Sequence, residues 1–345
     1  MAPPLFNEAF IIIRVDNKGQ PVNIIPYDEN AATYVAVSIS ICRGMLKTSR
    51  VKDAFKKFAE AYDPKLPKDD IVETFINKIL ERFPLVFVDN SMENPDLIAC
   101  HFRRAWRDEG YGFDPRKQGI LINGPKVHEM CIAGIGAESS QDPDSKVSKR
   151  FRVFLFTFAK SFMHELAHIF VTSLGPTGKT RTPPHIRGSE EDDDPTGEAG
   201  RYIENLIFGG RVIIIRNNAE GEGQAGICFL ANGKGAYQIL QQTIDEIIKY
   251  QFDFPISRLG PQITDSDKTL GFHLPMKFAS GDPMDAPGTR QLLAPHEANL
   301  VRWDEAVDDL IKGNPNAETF SEEQESVMHE VPFNPSLRIE PKLRA

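Results

Sequence analysis

The sequence predicts an α+β fold in which short strands and helices surround one long apolar helix. Three observations lead to this prediction. The chain has 345 residues, 41% of them hydrophobic and 26% charged, which is typical of a globular protein with a substantial core. Short β-branched runs and segments of helical spacing follow one another irregularly. The most apolar segment, 151–174, is too long for a strand, and Gly175-Pro176 ends it, so we expect a helix over about 147–174.

Residues 1–135 predict an N-terminal portion of mixed strands and helices. Runs rich in β-branched residues predict strands at 10–15, 21–27, 84–88, 97–102 and 119–124. Helical spacing predicts helices at 51–62 and 70–83, whereas 31–45 is compatible with a strand or a helix. Residues 136–146 are polar and predict a loop that leads into the long helix.

Residues 145–255 predict a second portion that continues the same domain. After the long helix we expect a polar loop at 177–194 and then a helix at 195–208 with proline at its first position. A pair of strands at 212–215 and 227–230 and an amphipathic helix at 236–252 should follow. Pro, Gly and Asp become more frequent from residue 256, so 256–345 predicts an extension with one helix at 297–312 and a loose tail from 314.

Charge and cysteine content restrict the possible partners and location. The net charge of −9 argues against a nucleic-acid partner, which would usually need a basic face. The long apolar segment carries five ionisable side chains, Arg152, Lys160, His164, Glu165 and His168, so we expect a buried helix and no membrane span. The chain starts without a secretory pattern, and its four cysteines form no CxxC pair. We therefore expect a cytoplasmic protein with reduced thiols.

The long helix contains the pattern HExxH, at His164-Glu165-Leu166-Ala167-His168. Four residues make about one helical turn, so both imidazoles project from one face and can share one metal ion. Glu165 is turned about 100° from His164, so it lies beside the metal rather than on it. There it can take a proton from a water molecule and pass it to a leaving group. Zinc suits imidazole and carboxylate ligands and is the ion we expect.

A polar stripe supports the metal interpretation. Thr157, Ser161, His164, His168 and Thr172 recur at steps of 4, 3, 4 and 4 on a helix that is otherwise apolar. Buried polar groups need partners, and a metal ion with its water would supply them. The structural alternative is a pair of core histidines that are satisfied by hydrogen bonds.

This helix resembles the active-site helix of the zincin metallopeptidases. The resemblance covers the helix and the segment after the polar loop, and it implies a zincin-like architecture. In that architecture a mixed sheet packs on the buried active-site helix, and a second, ligand-bearing helix follows. The edge strand of the sheet lies along the substrate cleft, and 119–124 is the candidate for that strand by analogy.

The third metal ligand distinguishes the zincin subgroups. The pattern HExxHxxGxxH is excluded because Val171 and Leu174 stand where it needs Gly and His, and a GTxDxxYG segment is absent. Gluzincins take a glutamate from a following helix. The resemblance therefore implies Glu198, in Gly197-Glu198-Ala199-Gly200, as the ligand beside His164 and His168. The two glycines would let two backbones approach closely.

Other residues remain open as ligands or catalytic groups. His185, Glu204 and the five acids 190–194 are alternative third ligands, although an acid run is usually a solvated loop and Glu204 also fits a surface charge or a partner of a ligand. Arg201 and Tyr202 follow Glu198 by three and four residues, on its face. Either of them, or His185 in its stiff proline loop, could stabilise an oxyanion, and a salt bridge or a packing role is the alternative.

We therefore expect a zinc-dependent metallopeptidase of gluzincin type that cleaves amide bonds of a peptide substrate, with Glu165 as general base. One alternative is a zinc hydrolase that acts on a non-peptide amide or a small metabolite. The other is a zincin-like binding protein whose metal site is structural or lost. A fourth protein ligand that closes the site would favour the binding protein.

Overall fold

A computed structural model describes residues 10–92, 94, 97–103, 112–175, 180–188, 197–215, 224–263 and 300–313. The helices are α1 (Asn30–Leu46), α2 (Ser49–Tyr62), α3 (Lys68–Glu81), α4 (Gly124–Ser140), α5 (Lys146–Ser173), α6 (Ala199–Phe208), α7 (Gln241–Ile248) and α8 (Leu300–Lys312), with a 3-10 turn at Pro115–Lys117. The strands are β1 (Ile12–Val15), β2 (Pro21–Ile24), β3 (Leu85–Asp89), β4 (Ala99–Phe102), β5 (Gly119–Asn123), β6 (Arg211–Ile215), β7 (Ile227–Asn232), β8 (Gly235–Ile239) and β9 (Leu259–Gln262).

The first sheet has the strand order β2-β1-β3-β5-β4. Strands β1, β3 and β5 are parallel, and β2 and β4 run antiparallel to their neighbours, so the sheet is mixed and the predicted α+β class is confirmed. The expected edge position of 119–124 is wrong, because β4 pairs with β5 and itself forms the edge among the described strands. A strand's own residues indicate that it is a strand, but they do not identify its neighbours.

Helix α5 is the centre of the molecule and confirms the helix predicted over 147–174. Its first turn is capped by Ser145, whose hydroxyl accepts a hydrogen bond from the backbone N–H of Ser148. Apolar side chains surround it, and the largest are fully buried: Phe156, Phe158, Phe162 and Phe170. Helices α1, α4, α6 and α7 and strand β4 pack around it. A helix covered on so many sides can be apolar around most of its circumference.

The second sheet is antiparallel, with the order β6-β7-β8-β9. It confirms the strand pair at 212–215 and 227–230. The single helix predicted over 236–252 is wrong in its first part, since Gly235–Ile239 is a strand and the helix covers only Gln241–Ile248. Neighbouring strands β7 and β9 supply the backbone hydrogen bonds of β8, and this pairing overrides the local helical spacing.

Helix α4 was not predicted, and the loop predicted over 136–146 begins only after Ser140. Its glycines lower the local helix propensity. One of these glycines, Gly134, is needed for packing between helices, because a Cβ there would lie 2.4 Å from Cε2 of Tyr34 on α1. The ambiguous segment 31–45 is helical, as α1. Close packing of α1, α4 and α5 therefore decides the structure of both segments.

The helix predicted over 297–312 is present from Leu300 to Lys312 as α8. Val307 on α8 is fully buried in a cluster with side chains of the first sheet, including Ile13 and Phe87. The predicted tail, 314–345, lies outside the described residues. In the described ranges, none of the helices combines the length and the apolar character that crossing a membrane requires.

Candidate metal centre

Two histidines of α5 and one glutamate before α6 converge on a common point. The Nε2 atom of His168 lies 2.8 Å from Oε1 of Glu198, and Nε2 of His164 lies 3.5 Å from the same oxygen. All three ligand atoms lie within 4.8 Å of one another. Two atoms that bind one zinc tetrahedrally, each at about 2 Å, are about 3.3 Å apart. The group therefore has the dimensions of a metal site.

The backbone and Arg201 determine which oxygen of Glu198 faces the histidines. Glu198 is the N-cap of α6, one position before the helix rather than within its first turn as predicted. Its Oε2 accepts the backbone N–H of Arg201 at 2.8 Å and lies 3.3 Å from Nε of the same arginine. Oε1 accepts the backbone N–H of Gly200 at 3.2 Å. Oε1 is thus the oxygen directed at His164 and His168.

Glu198 is suited to bind a cation because it is held as a carboxylate. Burial alone would raise its pKa, but the positive charge that His164, His168 and Arg201 can carry holds the pKa well below its ordinary value. The N-terminus of α6 acts in the same direction, since the helix dipole favours negative charge there.

The two glycines that flank Glu198 permit the close approach that the sequence suggests. A Cβ at Gly200 would lie 2.3 Å from Nε2 of His164, and a Cβ at Gly197 would lie 2.0 Å from the backbone oxygen of Pro183. Any larger residue at position 200 would meet the imidazole ring itself. Gly200 therefore lets α6 approach α5 closely enough for Glu198 to reach both histidines.

Glu204 does not belong to the group of three but holds one of its members. Its Oε1 lies 2.8 Å from Nδ1 of His164, and its Oε2 accepts the backbone N–H of Val212 at 3.3 Å. It is 1% exposed, so the alternative of a surface charge is excluded. Burial raises its pKa, but Lys160 and His164 outweigh this effect and lower the pKa to about 2. The Nδ1–H of His164 therefore donates to a carboxylate, which leaves Nε2 for a metal.

The structure also identifies a residue to which the sequence analysis gave no role at the site. Nζ of Lys160 lies 2.8 Å from Oε1 of Glu204, the oxygen that also contacts His164. The available signal was its spacing: Lys160 stands four residues before His164, so both side chains lie on the same face of α5.

Glu165 is 3% exposed and lies outside the group of three, as expected for a residue one helical step from His164. The polar stripe of α5 is buried except at His164, which is partly exposed, and its last member, Thr172, donates its hydroxyl to the backbone oxygen of His168 at 3.0 Å.

Of the remaining candidates, Arg201 lies at the site, His185 and Tyr202 contact α2, and the acidic run lies outside the described ranges. His185 is exposed, and its Nε2 lies 3.0 Å from the backbone oxygen of Ala61 at the end of α2. The ring of Tyr202 packs edge-on against Phe58 of α2, with ring centroids 5.5 Å apart. Arg201 contacts the ligand carboxylate of Glu198. The acids 190–194 lie outside the described residues.

Comparison with known proteins adds no assignment: no family model, curated protein or solved structure matches the chain. The chemical argument therefore rests on the site.

The donor set is two imidazole nitrogens and one carboxylate oxygen, which suits zinc. Within the described ranges, no fourth His, Cys, Asp or Glu joins this group. Three protein ligands are typical of a catalytic zinc, whereas a structural zinc usually has four.

Proposed function

We propose that this chain is a zinc-dependent hydrolase, and specifically a zincin-like metallopeptidase of gluzincin type. The observation that carries the proposal is the convergence of His164, His168 and Glu198 within 4.8 Å of one another, with Glu165 adjacent in the same helical turn. Two of the residues that would hold the ion lie on α5, and the third, Glu198, is the N-cap of α6, 30 residues after His168.

The donor set and its surroundings support zinc as the ion. A bound zinc would supply a Lewis acid that lowers the pKa of water and polarises a carbonyl group. Glu204 fixes the proton of His164 on Nδ1, and Arg201 together with the backbone of α6 fixes Oε2 of Glu198. Such outer contacts orient the ligands and raise their basicity.

Glu165 provides the acid–base chemistry in this proposal. It takes a proton from the attacking water and transfers it to the nitrogen of the scissile amide, which leaves as an amine. A peptide is the proposed substrate, and a non-peptide amide would use the same residues. Among the described residues the site has three ligands, and a three-ligand set favours hydrolysis over the alternative of a binding protein with a closed structural site.

The proposal is tested by metal analysis of the purified chain and by incubation with a peptide library, before and after removal of metal with a chelator. We expect one zinc per chain, peptide cleavage by the zinc-loaded protein, loss of cleavage after chelation and recovery when zinc returns. Zinc binding without cleavage of peptides or of simple amides would contradict the hydrolase. Absence of zinc binding would contradict the metal centre itself.

A further inference from the structure

Lys160, Glu204 and His164 form a continuous chain of contacts that ends at the metal centre. Lys160 lies one turn before His164 on α5, and its Nζ is 2.8 Å from Oε1 of Glu204. The same oxygen is 2.8 Å from Nδ1 of His164. The side chain of Lys160 is 15% exposed and that of Glu204 is 1% exposed, so the contact is largely shielded from water.

A buried carboxylate needs compensating partners, because removal of a charge from water is costly. Two side-chain donors meet Oε1 of Glu204, and the backbone N–H of Val212 meets Oε2. The backbone N–H of Val212 holds one oxygen of the carboxylate and the ammonium group of Lys160 holds the other, which restricts the carboxylate to one orientation. In that orientation Oε1 faces the imidazole of His164. The contact from Lys160 therefore limits rotation of Glu204, and Glu204 in turn limits rotation of His164.

We propose that Lys160 is a positioning residue of the metal centre: it holds Glu204 in the orientation that aligns Nε2 of His164 with His168 and Glu198. This inference rests on the proposed function, since it assigns a role at the same metal site. Lys160 contacts Glu204. Its effect on the metal is transmitted through one carboxylate and one imidazole.

The same helix offers a matched control. Arg152 forms a comparable ion pair, with Nε 2.8 Å from Oδ1 of Asp245 and side chains that are 10% and 25% exposed. Arg152 lies 12 residues before His164, and Asp245 is on α7 rather than on α6. Loss of either ion pair should lower stability. Only loss of the Lys160 contact should change the metal site.

The experiment uses Co²⁺ as the probe, because its visible absorption reports ligand geometry and its affinity can be measured by competition with a chelator. We expect Lys160→Met to weaken Co²⁺ binding about 10-fold, the lower end of the effect of outer contacts on metal affinity, and to change the absorption spectrum. Lys160→Arg should recover part of the affinity. Arg152→Met should lower the melting temperature with unchanged affinity and spectrum. In a Glu204→Gln background, Lys160→Met should cause a smaller further loss than it does in the wild type.

If Lys160→Met does not fold, Lys160→Leu replaces it, since leucine also removes both the charge and the hydrogen-bond donor. Wild-type affinity and spectrum in a folded, uncharged Lys160 variant would overturn the positioning role. An equal loss in the Arg152→Met control would also overturn it, because the effect would then follow general destabilisation. If the wild type binds neither Zn²⁺ nor Co²⁺, the proposed function itself fails. That result differs from the two outcomes above, in which the wild type binds metal and only the role of Lys160 is overturned.

Discussion

A Cβ atom at Gly200 would lie 2.3 Å from Nε2 of His164, so the first turn of α6 rests directly against the imidazole ring. Gly200→Ala should therefore displace His164 or α6 and weaken zinc binding, by about 10-fold if the effect matches that of other perturbations of ligand orientation. In an unconstrained helix the same glycine-to-alanine change would stabilise the helix by about 1 kcal/mol. Zinc affinity measured by chelator competition checks this prediction.

Gly233→Ala is the matched control, because nothing lies within 4 Å of a Cβ built at Gly233. It should leave zinc affinity unchanged. If the Gly200→Ala variant bound zinc as tightly as the wild type, the close approach of α6 to the ring of His164 would not be needed for zinc binding.

Glu198→Ala should nearly abolish zinc binding, because it removes one of three ligands. Glu204→Ala should weaken binding by about 10-fold to 100-fold, the range for residues that contact a ligand. Calorimetric titration with zinc measures both. The order of the two effects is the decisive result: a larger loss from Glu204→Ala than from Glu198→Ala would assign the third ligand to Glu204.

Glu165→Gln should keep zinc and lose hydrolysis. A positioned general base contributes about 10²-fold to 10⁴-fold, so kcat should fall by at least about 100-fold. Metal content is measured together with kcat on the same preparation. Loss of zinc in this variant would instead indicate a role in binding the ion.

His185→Ala and Tyr202→Phe should have little effect on kcat, because the structure gives these side chains partners on α2. Tyr202→Phe keeps the ring that packs on Phe58 and removes only the hydroxyl. A fall in kcat of about 10²-fold or more would match removal of an oxyanion donor and would support the catalytic role predicted from the sequence. Steady-state kinetics on a cleaved peptide decides between these outcomes.

Zinc should raise the stability of the folded chain, because the three ligands converge only after α5 and α6 have packed together. A ligand present at 100 times its Kd raises the free energy of unfolding by about 2.7 kcal/mol, so the melting temperature should rise with zinc concentration. His168→Ala should remove this zinc-dependent rise, even if the variant also starts from a lower melting temperature. A similar rise in wild type and variant would indicate binding at another site.

The parts of the fold whose signal is local were predictable from the residues themselves. The apolar circumference of α5 predicts a buried helix, and Gly175 marks its end. Strands β3 and β5 follow from β-branched runs. The four-residue spacing of His164 and His168 is sufficient to place both rings on one face, because helical geometry is the same wherever the helix lies.

Strand order and part of the secondary structure depended on contacts that are remote in sequence. Gly235–Ile239 has helical spacing but becomes β8 because β7 and β9 pair with it. The strand at 119–124 lies inside the sheet because β4 occupies its other side. Helix α4, which is rich in small residues, forms where Gly134 admits the ring of Tyr34. Backbone hydrogen bonds of a strand come from its neighbours, so no pattern within one segment identifies them.

The sequence by itself determined the two histidines, the candidate base and a short list of third ligands. Only the tertiary structure selected Glu198 from that list for the group of three, placed Glu204 behind His164 and brought Lys160 to Glu204. The physical reason is that the spacing within α5 is set by one helix, whereas these contacts depend on the distance and rotation between α5 and α6. That relation is set by close packing at Gly200 and by the polar contacts between the two helices, which no periodicity in either helix encodes.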